Sequence, residues 1–149
     1  MKMKHLLYIF IPFLFSFSCE QNEDKIISDT EDQVVGEWIW IKSTYYNTNS
    51  GLPFVLTPDS VGYSVRELFA SDGTYILFKN DLVETSGIYW LETVNDIKHE
   101  NTVPDIRLYS QKEEYINFSK IEISGDSLLF DNTATDGTVK LFRRLDNSR

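Results

Sequence analysis

From about residue 34 onward, apolar and polar positions alternate in short runs rich in β-branched and aromatic residues. Gly, Asp, Asn and Pro interrupt these runs every eight to twelve residues, which is the pattern of strands joined by tight turns. The runs predict eight strands, over 34–46, 62–70, 74–79, 82–91, 105–110, 115–124, 127–131 and 138–145. Asp72-Gly73 is the strongest hairpin signal, because both residues tolerate positive φ. Ile116 and Phe118 share one parity and Ile121 and Ile123 the other, which predicts a bulge near Ser119-Lys120. Trp38 and Trp40 alternate with Ile39 and Ile41, so the first strand is apolar on both faces and its outer face needs cover from a short helix, the preceding segment or a partner. No apolar repeat of 3.6 persists for three turns, so no long helix is expected; short ones fit within 47–60 or 93–103. Eight sequential antiparallel strands suit an up-and-down barrel, which closes and removes exposed edges. The fold class expected is therefore all-β, with the barrel over residues 34–146.

The amino terminus has another pattern. Lys2 and Lys4 precede Leu6 to Phe17, which are apolar or uncharged throughout. That run is too short for a bilayer span of about 20 residues and suits a cleaved signal peptide over residues 1–18. Ser16 and Ser18 supply small side chains before Cys19, the only cysteine of the chain. The stretch Ser16-Phe17-Ser18-Cys19 resembles the lipobox of bacterial lipoproteins, departing from it at Ser16, where Leu is commonest, and at the bulky Phe17. The resemblance implies a lipid on Cys19, and acylation would remove a free exported thiol. It also implies a lipid-anchored protein of the cell envelope. Residues 19–33 are polar apart from Ile26 and Ile27 and are expected to form a flexible acidic tether. Glu20, Glu23 and Asp24 resemble the surface-export signal of Bacteroidetes lipoproteins, which implies the outer membrane and a surface-facing domain.

Charge narrows the partners. The 149 residues carry 14 basic and 23 acidic side chains; without Lys2 and Lys4 the balance is 12 against 23, a net charge of −11. Such a domain does not suit nucleic acid, whose phosphates need Lys and Arg. It gains nothing from an anionic lipid surface either, so membrane association is expected through the lipid alone. Of 21 aromatic residues, 16 follow residue 18, a heavy load that argues for an ordered aromatic interior.

Val35-Gly36-Glu37-Trp38, at the start of the first strand, resembles the Gly-x-Trp signature of lipocalins. The segments VVGEWIWIKS, TPDSVGYSVRELFASDGTYILF, SGIYWL, ISGDSLLFD and DGTVKLFRRL, in that order, resemble lipocalin-like lipoproteins of the Bacteroidetes over roughly residues 33–145. The resemblance implies an eight-stranded lipocalin-like barrel. Lipocalins proper bind small apolar molecules, so a small apolar ligand is the candidate partner, although function lives in the site and not in the fold. In lipocalins a basic residue of the last strand packs over the first-strand Trp. Arg143 and Arg144 are both candidates to pair with Trp38, as a barrel-closing stability device.

Candidate chemistry is sparse. Once Cys19 is acylated no thiol remains, and His5 leaves with the signal. His99 alone, in a polar loop, cannot build a zinc site, and no serine sits in a nucleophile elbow. Asp131-Asn132 through Asp136-Gly137 has neither the spacing nor the flanking helices of a calcium loop and reads as a turn. No catalytic residue, metal or cofactor is expected. Glu67 shares parity with Tyr63, Val65 and Phe69 on the apolar face of its strand. An inward carboxylate must be paired, with Arg143 or Arg144 for example, or protonated, or it anchors a ligand head group. Trp38, Trp40, Tyr63, Phe69, Tyr75, Tyr89 and Trp90 are the candidate pocket or core aromatics. The leading expectation is a non-enzymatic, membrane-anchored lipocalin-like protein with a small apolar ligand. The alternative is an interaction module with a filled barrel, contacting an envelope protein or glycan through loops 47–60 and 93–103. An empty interior of about 300 Å³ or more separates the two.

Overall fold

The computed structural model describes residues 20–46, 52–94, 105–112 and 115–145. A helix, α1 (Glu20–Val34), leads into β1 (Gly36–Tyr46), β2 (Pro53–Leu56), the short α2 (Pro58–Val61), β3 (Val65–Phe69), β4 (Thr74–Lys79) and β5 (Leu82–Val94). The chain ends in β6 (Asp105–Lys112), β7 (Tyr115–Ser124), β8 (Ser127–Asn132) and β9 (Thr138–Arg144). Sequential strands from β3 to β9 pair antiparallel, and β1 pairs with both β3 and β9. Those eight strands close into an up-and-down barrel, as the turn spacing predicts. β2 extends the β3 side of β1: residues 36–39 of β1 pair with β3 and residues 43–46 with β2. α2 breaks what would otherwise be one strand. Thr57 and Ser60 close its first turn as a reciprocal capping box, Pro58 opens it, and Gly62, at φ 74°, ends it.

Turn chemistry sets the register. Asn80 and Asp81 both have positive φ, the requirement of a tight two-residue hairpin, and they join β4 to β5. At the β3–β4 turn the Asp72 carboxylate accepts the Thr74 N–H at 2.9 Å. β1 carries a bulge between Trp40 and Lys42, which lets Trp38, Trp40 and Ser43 all be buried. α2 packs against β1, and Ile39 and Ile41 are half-buried.

Two sequence expectations are corrected. The first concerns residues 19–33. The described part is a 15-residue helix, not an irregular tether, and its end packs on β5 and β7. Ile27 lies against the core and Val34 is fully buried, so two apolar positions seven residues apart on one face hold the helix. The stripe is too sparse to stand out in the sequence. The second concerns β7. Its pairing with β6 and β8 runs in unbroken register, with no bulge at Ser119-Lys120. Polarity changes sides instead: Ile121 is buried within the core, whereas Ile116 and Phe118 are exposed. By the same register Ser119 lies opposite the buried Leu108, and Asn117 opposite Ser110.

The two ends of the barrel differ. At one end β3 turns into β4, β5 runs to β6 and β7 turns into β8, and α1 packs there. The other end gathers the β1–β2, β4–β5, β6–β7 and β8–β9 connections. The buried core, including Trp38, Trp40, Phe69, Leu91, Leu128 and Phe142, fills the α1 end.

Candidate functional site

The helix-covered end is built around Trp38. Its Nε1 donates to the Val34 carbonyl at 2.8 Å, and the Arg144 guanidinium lies 4.1 Å from its ring centroid. Arg144 also donates to the Val35 carbonyl at 2.8 Å and to the Gln33 carbonyl. The pairing left open between two arginines is therefore made by Arg144, whose position pairs with Trp38 across β1 and β9; Arg143 points outward and is exposed. Gly36 has φ 137°, and a Cβ there would stand 2.6 Å from Arg144 Nη1. The glycine of Gly-x-Trp is thus the gap through which the guanidinium passes.

Above this plug the barrel is hollow. A cavity of about 390 Å³ opens toward the hairpin end. Phe69, Tyr75, Leu77, Leu108 and Phe130 form its apolar wall. Ser110, Asn117, Ser119 and Asn132 make the opposite flank polar, and Glu67, Lys140 and Asp136 bring charge. The aromatic wall is rigid: Phe69 packs against Tyr75 at 5.3 Å, Tyr89 at 5.1 Å and Phe130 at 6.4 Å between centroids. The Tyr89 hydroxyl donates to the Ala70 carbonyl at 2.9 Å, which fixes the edge-on ring beneath Phe69.

Glu67 points inward, as its parity predicts, between Trp38 on β1 and Leu77 on β4. Neither Arg143 nor Arg144 pairs with it, because Arg144 is committed to Trp38 and two carbonyls. Among the described residues Glu67 has no hydrogen bond or ion pair. Burial pushes its carboxyl up to about 7, and the Lys140 charge opposes the shift. Tyr75 is raised too, by its own burial and by the nearby charges of Glu67 and Glu84, so its hydroxyl keeps its proton.

The predicted aromatics divide into three groups. Phe69 and Tyr75 line the cavity with Glu67. Trp38, Trp40 and Tyr89 are buried core, and Tyr63 packs on that core with its ring stacked 6.1 Å from Trp40. Trp90 is a correction. Adjacent strand residues face opposite sides, so Tyr89 inward sends Trp90 outward. There it stacks on Tyr109 at 5.3 Å, Tyr109 meets Phe118 at 5.8 Å, and Arg107 lies 5.2 Å from the Phe118 ring. Sequence reasoning missed Lys140, although its alternation with Phe142 along the last strand was a usable signal. It also missed the polar flank, which the assumed bulge had turned to the outside.

A collar of exposed apolar side chains surrounds the open end. Tyr46, Leu52 and Phe54 come from the β1–β2 connection, Leu82 and Val83 from the β4–β5 hairpin, and Tyr115 and Ile116 from the start of β7. Asp131 and Asp136 spend a carboxylate oxygen on the backbone N–H groups of Thr133 and Thr138, both at 2.9 Å, so the β8–β9 loop is a self-bonded turn. Cys19, His99 and loop segments 47–51 and 95–104 lie outside the described residues. Comparison with protein families, curated proteins and solved structures returns no match. The lipocalin-like character of the barrel therefore rests on its topology and on the Trp38–Arg144 plug.

Proposed function

We propose that this chain is a lipid-anchored, lipocalin-like binding protein of a bacterial cell envelope, whose barrel holds a small, largely apolar molecule and performs no catalysis. The observation that carries the reading is the cavity: about 390 Å³, closed at the Trp38 end, open at the other, with a rigid aromatic wall. Small-molecule pockets fall at about 300–1,000 Å³, and this one lies in that range, with an apolar wall facing polar and charged groups that suit an amphipathic molecule. The anchoring half of the proposal is supported by the signal-like residues 1–18 and by Cys19. The acidic residues after Cys19 support an outer-membrane, surface-facing location. Mass spectrometry of small molecules retained by residues 20–149 tests the binding. A stoichiometric apolar ligand is expected; none, with no thermal shift across a lipid and haem panel, would reject it. Cys19→Ser is expected to release the protein from the membrane fraction, and unchanged fractionation would refute the anchor.

The collar favours a second reading, an interaction module whose open end meets another envelope component. Exposed apolar residues grouped at one place mark contact surfaces. A photo-crosslinker at Leu82 would then join one discrete envelope protein or glycan, whereas ligand binding alone predicts no such adduct.

A further inference from the structure

The cavity contains two opposite charges that act on each other through space without an ion-pair contact. Lys140, from β9, and Glu67, from β3, both line it, and among the described residues neither makes an ion pair or hydrogen bond. Charges withdrawn from solvent are ordinarily paired, so a half-buried Lys140 and Glu67 without a contact partner in a concave, open site suit a bound head group. Building on the small-molecule reading above, we propose that the ligand is an amphipathic monoanion, with a carboxylate-type head group held by Lys140 and Glu67 and an apolar body against Phe69, Tyr75 and Phe130.

The sign of the head group follows from the groups that face Glu67. β4 contributes the Tyr75 hydroxyl, β9 contributes Lys140 and the β8–β9 turn contributes Asp136. Asp136 is already engaged by the Thr138 N–H. From β1 comes Trp38, uncharged, and from β6, β7 and β8 come Ser110, Asn117 and Asn132, which do not titrate. An amine entering the cavity would be repelled by the Lys140 ammonium and, once Glu67 holds a proton, attracted only by the already engaged Asp136. A carboxylate would meet Lys140 favourably; of the two carboxylates that repel it, Asp136 already accepts the Thr138 N–H, and Glu67 sheds its charge readily because burial has pushed it up to about 7. Once protonated, Glu67 is a donor: acid and carboxylate share the proton, with Tyr75, whose hydroxyl is held protonated, as a further donor. Ligand and proton therefore bind together.

Three ten-carbon probes that differ only in head group test this: decanoate, decanol and decylamine. Each competes with the neutral dye N-phenyl-1-naphthylamine on the full chain at pH 6 and pH 8. Decanoate should displace the dye best, with affinity falling about tenfold from pH 6 to pH 8 as Glu67 loses its proton. Glu67→Gln should bind decanoate with that pH dependence removed. Lys140→Met should lose about tenfold for decanoate and leave decanol unchanged, while Lys140→Arg retains decanoate binding and guards against a folding artefact. Decanol or decylamine matching decanoate, or decanoate affinity rising with pH, would overturn the anion proposal and leave the cavity reading standing. Failure of all three probes to displace the dye would overturn the cavity reading itself.

Discussion

Arg144 is the residue on which the closed end depends. One guanidinium covers the Trp38 ring and donates to two carbonyls of the segment entering β1, so it ties the last strand to the first and to the end of α1. Cation–π and charge-assisted hydrogen bonds of this kind contribute about 1–2 kcal/mol each. Arg144→Met should cost about 2–4 kcal/mol in urea unfolding, and the exposed Arg143→Met about 0.5 kcal/mol or less. Glu67 has the opposite character, since its burial opposes folding whenever it is charged. Its carboxyl ionises near the ordinary value of 4.5 in the unfolded chain and near 7 in the barrel. The native state therefore holds an extra proton between those values. The contribution is fully present below pH 4.5 and is lost as pH rises through 7. Glu67→Gln should remove a fall of about 3 kcal/mol in stability between pH 5 and pH 8, read as a change in the pH dependence of the urea midpoint.

At the scale of elements, α1 and β7 carry the lessons. α1 is polar along most of its length and owes its place to Ile27 and Val34. Such a helix is held by tertiary packing more than by its own propensity. Val34→Ala should cost about 1–2 kcal/mol, and amide exchange in α1 should quicken while the strands stay protected. β7 shows why period-2 reading stops short of a site. Its apolar residues change parity midway, and a bulge is the ordinary way to keep them all inside. The barrel instead spends the inward positions Asn117 and Ser119 on the cavity, and Phe118 joins an aromatic row outside. A strand beside a hollow has no packing reason to be apolar within.

For the whole molecule, hollowness is the decisive property. Aromatic rings fill the α1 end and leave the hairpin end empty, so stability and binding occupy separate halves. Filling the empty half should therefore spare the fold. Ser119→Trp should leave the unfolding midpoint within about 1 kcal/mol of the original while abolishing displacement of N-phenyl-1-naphthylamine by decanoate. The apolar collar sits on the same end as the opening, around the path a ligand must take.

Local chemistry settled much of this from the sequence. All eight barrel strands, their antiparallel order and the hairpin at Asp72-Gly73 were legible, because alternation and turn propensities act over a few residues. The inward Glu67 was legible for the same reason. Only the tertiary structure could choose Arg144 over Arg143, because that choice depends on the register of β9 against β1. It alone could turn Trp90 outward, bring Lys140 to the cavity with Glu67 and leave that volume unfilled. Pattern assigns a residue to a face; whether a face meets packing, solvent or an empty space depends on strands far apart in the chain.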